Sequence, residues 1–179
     1  MNKIKYGLWK FSLLSLIITL TMAILPVPSV SAAGLLADDT PPPSTSDRTL
    51  RLSFVWERLQ IAYDHQGLRL DRAKAFLVIL QDRLDLANKN GKDTSAVQAA
   101  LDVFSQAIKD ANPIHQNAKG IISSHKGFDS DGKLTDRIQA LETIRSLGRS
   151  IQEVRGLVSN PLKLLRDALI AFRAANRPN

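Results

Sequence analysis

LSFVWERLQIAYDHQGLRLDRAKAFLVILQDRLDLA, residues 52–87, decides the fold. Within it Leu52, Trp56, Leu59, Tyr63, Gln66, Leu70, Ala73, Leu77, Leu80, Leu84 and Ala87 follow one another at alternating spacings of four and three. A helix gathers such positions on one stripe, and an apolar stripe of that length requires other helices to bury it. Gly67 is the only glycine inside and costs about 1 kcal/mol relative to alanine. The spacing predicts a helix over about residues 48–88, roughly 60 Å long.

Downstream, Asn88-Lys89-Asn90-Gly91-Lys92-Asp93 is a stop signal, with Gly91 suited to a left-handed helix end. Ser95 and Gln98 form a capping box that opens a second helix over 95–125. Its stripe is Val97, Leu101, Phe104, Ile108, Ala111, His115, Ala118, Ile122 and His125. Pro113 in its middle predicts a kink. GFDSDGKL (127–134) is the second turn. A third helix then starts at Thr135 or Asp136, with Gln139 available to the cap. Its stripe over 135–158 is Ile138, Leu141, Ile144, Leu147, Ile151, Val154 and Val158. Ser159-Asn160-Pro161 reads as a cap and a first-turn proline, so a break at Pro161 and a further segment over 161–175 are expected. Short loops make successive helices antiparallel. The expected fold is all-α, an up-down-up bundle of three long antiparallel helices within residues 48–176.

The helix lengths do not match. If each helix pairs with its neighbour across the turns, the third draws level with the tip of the first hairpin near Leu165, and residues 166–176 project beyond it. The segment from Asn160 is amphipathic and basic. Leu162, Leu165, Leu169 and Phe172 form a stripe with Lys163, Arg166 and Arg173 beside it. An unpaired apolar stripe marks a contact surface. Leu162, Leu165, Arg166, Leu169, Phe172 and Arg173 are therefore the expected partner-binding residues. The alternative is that Pro161 lets the segment fold back over the bundle end near Leu84 and Ala87.

Upstream, residues 1–33 have the three parts of a cleaved signal peptide. Lys3, Lys5 and Lys10 precede an apolar run from Phe11 to Leu25, and Val30-Ser31-Ala32-Ala33 offers small-x-small cleavage near Ala32 or Ala33. The run is short of the ~20 residues that span a bilayer, so an uncleaved anchor is the minor alternative. Export to the periplasm or the exterior is expected. GLLADDTPPPSTSD (34–47) reads as a linker. The chain has no cysteine, which excludes disulfides, thiolate metal sites and a lipid-bearing cysteine. The formal net charge is +7. Beyond the signal, residues 34–133 balance, and the basic excess lies in the last third of the chain. In an exported protein that excess suits an anionic envelope surface or an acidic protein better than nucleic acid.

The carboxylates of the second turn invite a metal reading. Asp129-Ser-Asp131-Gly132 resembles the centre of a calcium loop of the EF-hand or dockerin kind, and Asp136 completes the candidate set. The flanking ligand positions fall on Gly127 and Ile138, which supply no oxygen side chain. His115 and His125 stand some 80° apart around one helix, and His65 lies off the main stripe, so they do not converge locally. His115 reads as an inward polar residue satisfied by the backbone gap near Pro113. Trp56, Tyr63 and Phe54, near the turn bearing Phe128, read as core packing at one bundle end. No nucleophile motif, phosphate loop or paired catalytic carboxylates appear, so neither enzymatic activity nor a cofactor is expected.

Leu134-Thr-Asp-Arg-Ile-Gln139 resembles the LTxxQ motif of the Spy/CpxP periplasmic helical chaperones, with glutamine one residue late because Ile138 stands at the family's position. The resemblance covers that one segment and there is no second copy. The GKDTSAVQAAL and GFDSDGKLTD turns, with their flanking helices, look like those of uncharacterised secreted bacterial helical proteins. The expected function is an exported, non-enzymatic interaction or structural module of the cell envelope, acting by helix–helix contact with a protein partner or a second copy. A holdase-type chaperone or stress sensor is the alternative, and a metal- or ligand-binding bundle the second.

Overall fold

The computed structural model describes residues 45–177; the signal segment and most of the linker lie outside the described residues. Three helices follow one another: α1 (Thr45–Lys89), α2 (Ser95–Ser124) and α3 (Arg137–Ala175). They form a mostly antiparallel all-α bundle in which α2 and α3 pack most closely and α1 lies more loosely against both. α1 begins at Thr45, so the last three residues assigned to the linker are helical.

The stripes read from the sequence build the core. Leu70, Leu80 and Leu84 of α1 meet Val97, Leu101, Phe104, Ile108 and Ala111 of α2 and Val154, Leu165 and Leu169 of α3 in one cluster. A second cluster at the other end joins Trp56, Ala118, Phe128, Ala140 and Leu147. Trp56 stacks on Phe128 with ring centroids 5.0 Å apart. Two positions depart from expectation. Phe54 is 62% exposed and takes no part in that aromatic end. Ile138 is 74% exposed, because Ala140 and Thr143 occupy the inward positions of the first turns of α3.

The turns explain the helix ends. Gly91 adopts φ 74°, as the stop signal requires. α2 is not opened by the Ser95/Gln98 box. Asp93 Oδ1 accepts hydrogen bonds from the amide and hydroxyl of Ser95 at 3.0 and 2.6 Å instead. Gln98 is drawn away into a reciprocal amide pair with Gln81 of α1, both bonds 3.0 Å. α3 is capped as read: Asp136 accepts from the amides of Ile138 and Gln139, and the Gln139 side chain donates back to it. Gly127 (φ 85°) lies so close to α3 that an added Cβ would fall on the Ala140 backbone. Thr143 Oγ1 donates to the Lys126 carbonyl at 2.8 Å and pins the same turn.

The expected break at Pro161 is absent, and α3 runs through it, as α2 runs through Pro113. Continuity keeps Val158, Leu162, Leu165, Leu169 and Phe172 in phase with Leu147, Ile151 and Val154. Burial of that shared stripe outweighs the loss of one helix hydrogen bond.

Candidate functional site

α1 carries two apolar faces. At ~100° per residue, the core-facing stripe from Trp56 to Ala87 occupies one side of the helix. Leu50, Phe54, Ile61, Leu68, Ile79 and Leu86 fall within roughly 40° of one another on the opposite side. All six are exposed, from 44% for Leu86 to 62% for Phe54. Around Ile79 the run Ala75-Phe-Leu-Val-Ile-Leu80 is apolar all round the helix, which leaves Val78 64% exposed as well. An isolated exposed leucine is ordinary; a stripe along most of a 45-residue helix is not.

The stripe belongs to a repeat. Phe54-Val-Trp-Glu57-Arg58, Ile61-Ala-Tyr-Asp64-His65, Leu68-Arg-Leu-Asp71-Arg72 and Ile79-Leu-Gln-Asp82-Arg83 share one pattern: outward apolar residue, two residues, an acid, then a basic residue or histidine. The third member faces the core in each copy, as Trp56, Tyr63, Leu70 and Gln81. Successive copies are 7, 7 and 11 residues apart. Seven and eleven residues are close to two and three whole turns, so the pattern returns to the same side each time. The acid stands ~60° to one side of its apolar residue and the basic member ~40° to the other. The outer stripe therefore has an acidic flank and a basic flank along its length. Among the described residues Asp71 pairs with Lys74 at 3.2 Å, and the other charged members of the flanks form no ion pair. In the sequence the continuous inner stripe masks this outer one; the 7, 7, 11 spacing of the apolar–acid–base unit is the signal that finds it.

The contact residues expected from the sequence lie elsewhere. Leu165 is fully buried and Leu169 is 5% exposed, both inside the main core, with Leu162 and Phe172 packed against its edge. Arg166 and Arg173 are exposed beside them. The stripe on the last helix is thus covered from within the chain, because an uninterrupted α3 brings it alongside α1 and α2. Leu165 and Leu169 are therefore not free to meet a partner.

The turn carboxylates serve the backbone. Asp129 Oδ1 accepts hydrogen bonds from the amides of Asp131 and Lys133 at 2.9 and 2.8 Å. Asp136 caps α3, and its carboxyl is held below the usual range chiefly by its hydrogen bond from the Gln139 amide. Asp131 is exposed, 4.0 Å from the Lys133 ammonium. Among the described residues no group of three or more His, Asp or Glu side chains could hold a metal ion.

His115 is buried as expected, but the gap near Pro113 does not satisfy it. Its Nδ1 has no hydrogen-bond partner among the described residues. The imidazole stacks on Tyr63, centroids 4.2 Å apart and planes 11° from parallel. Gly67 makes the space: a Cβ there would lie 2.9 Å from His115 Nε2. Burial lowers the His115 pKa, opposed by the charges of Asp71 and Asp64 and reinforced by Lys74. Burial, helped by Asp64, raises the Tyr63 pKa. The stack lies inside the bundle.

Comparison with family models, with curated proteins and with solved structures finds no match. Among the described residues no helix is long and apolar enough to cross a membrane. The chain is placed by its architecture as a three-helix bundle.

Proposed function

We propose that this chain is an exported, non-enzymatic interaction module that binds through the outer face of α1. One observation carries the reading: a stripe of exposed apolar side chains lies opposite the core stripe of the same helix. Burying the six large members would remove several hundred Å² of apolar surface from water, at ~25 cal/mol per Å². A surface of that kind favours helix-in-groove or helix-on-helix recognition. Export rests on the basic, apolar and small-residue parts of residues 1–33 and makes the cell envelope the place of action.

The test is site-specific photocrosslinking in the native host. A photoreactive residue at Leu68 is expected to give a discrete adduct, while the same group at Glu153, exposed on α3, gives none. Absence of any adduct from Leu68, at normal levels of folded protein, would remove α1 as the binding surface.

A further inference from the structure

The outer face of α1 is an apolar strip with opposite charge on its two sides, and that arrangement selects its own occupant. We infer that the face docks against the same face of a second copy of this chain, with the two α1 helices parallel and in register. This rests on the reading of α1 as the binding surface and adds the identity and direction of the partner.

Two parallel helices related by a two-fold along their axes place the left flank of one against the right flank of the other. Glu57, Asp64, Asp71 and Asp82 of one copy then line up with Arg58, His65, Arg72 and Arg83 of the other, on both sides of the strip. Each acid and its opposing basic residue differ in height by one residue, about 1.5 Å. An antiparallel pair would set acid against acid and base against base along the whole contact. Charges flanking an apolar seam fix partner and orientation in this way in coiled coils. Glu57, Arg58, Asp64, His65, Arg72 and Asp82 are exposed and form no ion pair within the chain among the described residues.

The size fits a modest, reversible dimer. From Leu50 to Leu86 the strip runs about 54 Å, and a helix is about 10 Å wide. Each copy thus offers a footprint of roughly 500 Å², and two together reach the lower end of specific interfaces. The strip is straight because its 7, 7, 11 spacing averages close to the natural helix period, so the pair needs little supercoiling.

The chain contains no cysteine, which makes a directional test clean. The protein, purified from a secreting host, is examined by sedimentation equilibrium from about 1 to 100 μM. The single variants Phe54→Cys, Leu68→Cys and Leu86→Cys are then oxidised. A parallel, in-register pair predicts a reversible dimer and a disulfide-linked dimer from all three variants. A monomer throughout the range, or a linked dimer from only one of the three positions, overturns the inference.

Charge reversal gives the second arm. Glu57→Lys/Asp71→Lys/Asp82→Lys and Arg58→Glu/Arg72→Glu/Arg83→Glu should each weaken self-association at least tenfold, while helicity and melting measured on dilute, monomeric protein stay unchanged. Mixing the two variants should restore a one-to-one pair. Failure to restore it overturns the charge argument. If no self-pairing occurs but Leu68 still forms a discrete adduct with another protein in the host, the binding surface stands and the second copy is the wrong occupant.

Discussion

His115 shows how one residue can set a condition on the whole bundle. Its ring is buried against Tyr63 with Nδ1 unpartnered, so the neutral form is favoured and its pKa lies below the ordinary value of 6.5. The unfolded chain binds a proton there more readily than the folded one. Stability is therefore full above about pH 6.5 and falls as pH drops through and below it. Asp93 and Asp136, whose carboxyls are held low mainly by hydrogen bonds from residues 95 and 139, lose their contribution only at more acid pH, below the ordinary carboxylate value of 3.8. Denaturant unfolding at pH 7 and pH 5 should show lower stability at pH 5, and His115→Leu should remove most of that difference. An unchanged slope in the variant would clear His115 of the effect. Gly67 is coupled to the same ring. Gly67→Ala should destabilise the native chain because its Cβ meets Nε2, despite a helix-propensity gain of ~1 kcal/mol. In a His115→Ala background the same change should stabilise by about 1 kcal/mol, a difference that a double-mutant cycle reads directly.

At the scale of the element, the helices were legible and their uses were not. Alternation of four and three over Leu52–Ala87 and Val97–Ala118 identified the inner faces because periodic burial is a local property of the chain. Two local signals misled. Ser159-Asn160-Pro161 has the chemistry of a helix start, yet Val158, Leu162 and Leu165 keep one phase across it, and long-range packing settles the matter. Ile138 fits the stripe by type, but Ala140 and Thr143 take the inward positions of the first turns of α3 and turn Ile138 to solvent. The outer stripe of α1 stayed hidden for a third reason: a helix apolar on two opposite sides has no dominant direction, and attention falls on the more continuous one. The continuity of α3 predicts that Pro161→Ala restores a missing backbone hydrogen bond. Thermal unfolding should show a gain of about 1–3 kcal/mol without added helix content. A loss of stability would mean that the proline shapes α3 to fit its neighbours.

For the molecule as a whole, the unequal closeness of the three helices is the main consequence. α2 and α3 are joined by a turn locked at Gly127, Thr143 and Asp136, and they pack closely along their length. α1 contacts both more loosely and turns a second apolar face outward. Local opening free energies follow the number of buried contacts an element makes. Native-state hydrogen exchange on dilute protein should therefore find the α1 amides opening at lower free energy than those of α2 and α3. A difference of ~1.4 kcal/mol would appear as roughly tenfold weaker protection. Anything that binds the folded form of α1 raises its protection by mass action. Raising the protein concentration should accordingly slow exchange in α1 first, most strongly around Ile61 and Leu68, while α2 and α3 change little. Uniform protection across the three helices at every concentration would describe a single cooperative unit with no preferred contact face, and would count against both the looseness of α1 and its use in association.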